Sequence, residues 1–156
     1  MDYQWWVFIH IAGALAFLAA HGVSVGVAFR VRKERDPGRL LALLDLSNSS
    51  ATLMYVSLLV LLAGGVVAGF MGNWWSSGWI WTALAVLIVT MGLMYGIATT
   101  YYRRLRTIVT AMAEGSQAVS EGRLAEVLAG PRPWILAVIG FGALLFILYL
   151  MMFKPF

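Results

Sequence analysis

WWVFIHIAGALAFLAAHGVSVGVAF, residues Trp5 to Phe29, decides the fold. It carries no Asp, Glu, Lys or Arg, and at 1.5 Å rise per residue it is long enough to cross the roughly 30 Å hydrocarbon core of a bilayer as a helix. It ends abruptly in the basic cluster Arg30, Arg32, Lys33 and Arg35. Three further apolar runs follow, at about 51–71, 78–101 and 133–153. The expectation is a single all-α integral membrane domain, a polytopic four-transmembrane-helix bundle. A transmembrane barrel would show alternating segments of about ten residues instead.

The whole chain agrees with its first span. Of 156 residues 62% are hydrophobic and 12% charged, against about 25% charged in a soluble domain, so lipid must be the solvent for most of the surface. This excludes a soluble enzyme domain, a disordered tail and a free nucleic-acid binder. With no cysteine there is neither a disulfide framework nor a thiolate nucleophile.

The net charge of +4 is a topology signal. The connection 30–50 carries five basic residues and the connection 102–132 carries Arg103, Arg104, Arg106, Arg123 and Arg132. Residues 72–77, between the second and third spans, carry none, and Lys154 alone lies elsewhere. Basic loops stay in the cytoplasm, so both termini are expected outside, in a multi-pass protein of a bacterial plasma membrane. Trp5, Trp6, Trp74, Trp75, Trp79 and Trp81 form the outer aromatic belt. The acidic start is not a cleaved secretory signal. No nucleic-acid partner is needed to explain the basic residues, which face anionic lipid heads.

The basic connections carry structure of their own. Asp36-Pro37 reads as a helix start, with Leu40, Leu41 and Leu44 running on toward the second span. Residues 108–112 extend the third helix, and 118–128 form a short amphipathic helix ended by Gly130-Pro131. These pieces are expected to rest on the membrane surface. Gly22/Gly26, Gly65/Gly69 and Gly92/Gly96 have GxxxG spacing, which predicts close helix seams, homo-oligomerisation, or room for a flat cofactor.

Against this apolar background two histidines stand out. His10 and His21 are eleven residues apart, about 16 Å along the axis and nearly on one face. Each either glues helices through a hydrogen bond or ligates a metal. One ion cannot reach both. Met54, Met91 and Met94 lie level with His21, and haem iron accepts a His/Met pair. The site expected is haem b held by His10 and/or His21, the second axial position taken by Met54, Met91 or Met94, by water or nothing, or by a histidine of a second subunit, with electron transfer as its use and a quinone as partner. Copper(I), a soft ion that suits Met and His, is the alternative metal. A cofactor-free subunit or scaffold of a membrane complex is the alternative without chemistry. No carboxylate lies mid-span, so neither a proton-coupled transport relay nor a hydrolytic triad can be assembled.

Around Phe8-Ile9-His10-Ile11-Ala12-Gly13 the first span resembles a group of bacterial four- to five-helix membrane proteins. The group comprises the copper-resistance protein D family, the membrane haem-containing protoporphyrinogen oxidases, and an uncharacterised family of integral membrane proteins whose pattern of basic connections is the most similar. The resemblance implies haem b on the first-helix histidine, which maps to His10. The oxidases also rely on a lysine in a later helix, and the third span here has none.

Overall fold

The computed structural model describes residues 2–115 and 117–156, with backbone alone for 117–121. Five α-helices follow in order: α1 (Tyr3–Val31), α2 (Pro37–Met71), α3 (Gly78–Ala113), α4 (Gln117–Ala129) and α5 (Arg132–Phe153), with one 3-10 turn at Trp74–Ser76. Four helical stretches, corresponding to α1, α2, α3 and the chain through α5, are long and apolar enough to cross a membrane. The all-α bundle expected from the apolar runs is the observed fold.

Helix boundaries follow local chemistry. The Asp36 side chain accepts the Arg39 N–H at 2.8 Å, and Pro37 occupies the first helical position, where its missing N–H costs nothing. From there α2 continues unbroken to Met71, so the Leu40–Leu44 stripe and the second span are one helix. At the tryptophan-rich end Asn73 takes the left-handed conformation (φ 55°), which lets the chain reverse into α3.

Helices α1 and α2 form a tight antiparallel hairpin because glycine removes the side chains between them. A Cβ on Gly13 would lie 2.6 Å from the Leu61 backbone nitrogen, and one on Gly64 2.7 Å from that of His10. In lipid, such close approach substitutes dispersion for the hydrophobic effect. Of the GxxxG pairs expected to make seams, only Gly65/Gly69 lies against neighbouring side chains. Nothing lies within 4 Å of the Cβ position at Gly22, Gly26, Gly92 or Gly96, while Gly65 accommodates the His10 ring and Gly69 the Trp75 indole.

The densest packing lies at the basic end. Val27, Val31, Leu40, Leu44, Tyr101, Leu105, Val109, Met112, Leu124 and Leu128 form one buried cluster. Thus α4 does not merely rest on a membrane surface: it packs on α3, and its Leu124 and Leu128 join the buried cluster built from the ends of α1, α2 and α3. At the opposite end Lys154 Nζ sits 3.7 Å from the Trp74 ring centroid, and the Trp79 N–H donates to the Phe156 carbonyl. This second contact occupies one of the orphan donors that begin α3.

Candidate functional site

Between the α1–α2 hairpin and α3 the packing opens into a cavity of about 480 Å³. Its deep part is lined by His21, Met54, Met91 and Met94, and a recess of about 30 Å³ shares these four residues and reaches Gly140 and Ile147 of α5. Tyr55 and Tyr95, both exposed, line it where it opens sideways between α2 and α3. Toward the basic end the lining becomes polar, with Ser24, Ser47, Asn48, Tyr102, Arg103 and Arg106.

Helical register explains this grouping. Gly13 opposes Leu61 and His10 opposes Gly64, so His21 falls level with Met54 on the antiparallel neighbour. Met91 and Met94, one turn apart on α3, present their side chains to the same space. Depth matching along the spans anticipates all four residues.

The polar rim is built by hydrogen bonds that cross the bundle. Ser24 and Ser47 hydroxyls meet at 3.2 Å, joining α1 to α2, and the Tyr102 hydroxyl donates to the Ser24 carbonyl at 3.2 Å, joining α3 to α1. Ser47 is buried, although it belongs to a run, Asp45 to Ser50, whose polarity alone reads as helix solvation. Arg106 pairs with Asp45 and so ties α3 to α2 at the rim. Arg103 has no carboxylate partner among the described residues.

The two histidines share a helix but not a site. His10 lies outside the cavity: its Nδ1–H donates to the Leu61 carbonyl at 2.8 Å, in the space Gly65 leaves free. The carbonyl can only accept, so Nδ1 carries a proton in this contact. His21 is 3% exposed, its ring lies edge-on to Phe141 at 5.0 Å, and its Nε2 is buried without a hydrogen-bond partner. That nitrogen faces Gly140, where an added Cβ would sit 2.5 Å from the adjacent Cε1. An iron on Nε2 therefore has no room unless α5 yields.

Apart from that crowding, the lining offers thioether donors of the kind haem iron accepts. The cavity has the volume of a small-cofactor site and apolar walls. Three thioethers line its depth, and two guanidinium groups stand at the rim where propionates would emerge. Among the described residues no group of three or more His, Cys, Asp or Glu is arranged to hold a metal ion.

Sequence reasoning missed Arg103, Arg106 and Tyr102 as members of the site. Their one signal is spacing: 99, 102, 103 and 106 follow one helical face continuous with Met91, Met94 and Tyr95. Comparison with known proteins adds nothing to the geometry, since no family model, no curated protein and no solved structure matches the chain.

Proposed function

We propose that the protein is a b-type haem-binding membrane protein that transfers electrons, with a membrane quinone as its partner. One observation supports this reading: a single cavity brings His21, Met54, Met91 and Met94 together beneath a rim carrying Arg103 and Arg106. When bound, haem supplies a one-electron couple at iron. Met54, Met91 and Met94 would hold it, the α2 and α3 walls would keep water from it, and the rim arginines would neutralise its propionates. His21 lines the floor and acts on the pocket's shape rather than as the first donor. His10 serves the α1–α2 contact. With the basic connections in the cytoplasm, the rim lies at the inner leaflet of a bacterial plasma membrane.

The test is an absorption spectrum of protein purified after expression with ample haem. A Soret band is expected, retained in His10→Ala and lost or displaced in Met54→Leu/Met91→Leu/Met94→Leu. A colourless protein overturns the proposal, and a band lost in His10→Ala transfers the ligation to His10.

A second reading has its own observation. The soft set of three thioethers and one imidazole around one cavity suits Cu(I). Metal analysis separates the two, since stoichiometric copper without a Soret band favours copper handling. Neither metal nor haem would leave a cofactor-free membrane subunit.

A further inference from the structure

The rim of the cavity contains an unequal pair of arginines. Both line the opening on α3, one turn apart, so their guanidinium groups can serve one headgroup. Arg106 is held by Asp45, which is exposed and outside the cavity lining, whereas Arg103 has no ion-pair partner among the described residues. Below them the walls turn apolar within a turn or two, through Ala98, Met94 and Met91 on α3 and Ala51 and Met54 on α2. The opening is lateral, between two helices that otherwise touch lightly, with the exposed Tyr55 and Tyr95 at its sides. A positive rim above an apolar slot that opens sideways matches one chemical class: an amphiphile with an anionic headgroup.

We infer that the cavity is an entry site for acidic amphiphiles, whose carboxylate or phosphate group binds Arg103 and exchanges with Asp45 on Arg106. Asp45 is the chain's own carboxylate at that position. It keeps Arg106 from standing unpaired at the rim. An incoming acid takes over the guanidinium as its apolar body enters the slot. An exposed pair of this kind contributes little to stability, so the exchange is cheap and reversible. The inference shares its cavity with the haem reading but stands on the rim alone. Haem, through its propionates, and an anionic phospholipid, through its phosphate, are two sources of the same chemistry.

The experiment measures binding of a fluorescent long-chain fatty acid and of its methyl ester to the full-length protein in zwitterionic phosphatidylcholine nanodiscs at pH 9, with protein-free nanodiscs as the partition control. The acid is expected to bind at least tenfold more tightly than the ester. Arg103→Gln should reduce that preference to within about twofold, and Asp45→Asn should raise affinity for the acid a few-fold with the ester unchanged. Competition by haemin or by nanodiscs containing phosphatidylglycerol then identifies which source of acid the site prefers. Equal binding of acid and ester overturns the inference, as does a preference that survives Arg103→Gln in a protein with unaltered helical content. Acid preference without a Soret band in the spectrum above would sink the haem reading while leaving this one intact.

Discussion

His21 Nε2 on α1 abuts the backbone of α5 at Gly140, and no side chain larger than hydrogen fits between them. With the Phe29–Trp134 edge contact at 4.8 Å, this is where α5 meets α1. Gly140→Ala places a methyl group inside the imidazole, so the ring must rotate toward the cavity or α5 must retreat. Overpacking of this kind costs about 1–3 kcal/mol. Thermal unfolding in detergent should therefore show a lowered Tm for Gly140→Ala, largely recovered in the double variant with His21→Ala, which removes the obstructing ring. A Tm unchanged by Gly140→Ala would mean that the contact carries no weight.

Glycines in this chain divide by neighbour, not by spacing. Gly13→Ala and Gly64→Ala drive a methyl into facing backbone, which cannot swing away as a side chain can, so each should cost about 1–3 kcal/mol. Gly22→Ala and Gly92→Ala meet nothing within 4 Å and should be neutral or gain up to about 1 kcal/mol from helix propensity. Unfolding in sodium dodecyl sulfate, read by circular dichroism, compares all four. Equal losses in the two pairs would sink the distinction.

That division shows what sequence could reveal and what it could not. Four apolar runs of about 20 residues set the number of spanning helices, since runs of that length cross lipid as helices rather than as strands, and Asp36-Pro37 set the start of α2. The depth of His21, Met54, Met91 and Met94 was legible because rise per residue converts sequence directly into height in a membrane helix. Azimuth was not. A GxxxG repeat marks a smooth stripe without saying whether a neighbour uses it, and Gly13, Gly64 and Gly140 make close contacts between helices without any such partner. Nor does a loop rich in Arg reveal that Arg103 and Arg106 turn toward a cavity, because α3 runs past its apolar span into the headgroup region before ending at Ala113.

The turn between α1 and α2 should loosen in acid. Glu34 accepts the backbone N–H groups of Arg35 and Asp36 at 2.9 and 3.1 Å, and these bonds, aided by the nearby Arg39 and Arg30 charges, lower its pKa below the ordinary 4.5. A carboxylate depressed in the folded state stabilises it above its unfolded pKa, and that contribution is lost as pH falls through the depressed value. Limited proteolysis at Arg32–Arg35 should therefore accelerate as pH drops below about 4.5 with an acid-stable protease, while Glu34→Gln is cut at a pH-independent rate in that window. A Glu34→Gln variant that keeps the acid acceleration would assign it to another group.

Leucine should matter according to what surrounds it. Leu105 is fully buried in the cluster at the basic end, beyond the apolar span of α3, whereas Leu59 on α2 is 67% exposed on a surface that faces lipid. Truncating Leu105 leaves a cavity inside this buried cluster, at about 2–5 kcal/mol. Leu59→Ala merely exchanges one hydrocarbon contact for another, because lipid tails are as apolar as leucine, and should stay within about 0.5 kcal/mol. The two variants also separate in kind. Leu105→Ala should release α4, seen as faster amide exchange over Leu124–Leu128 while the spans stay protected, since that helix is held mainly by this cluster. Uniform loss of protection across all helices would show instead that the cluster and the spans unfold as one unit.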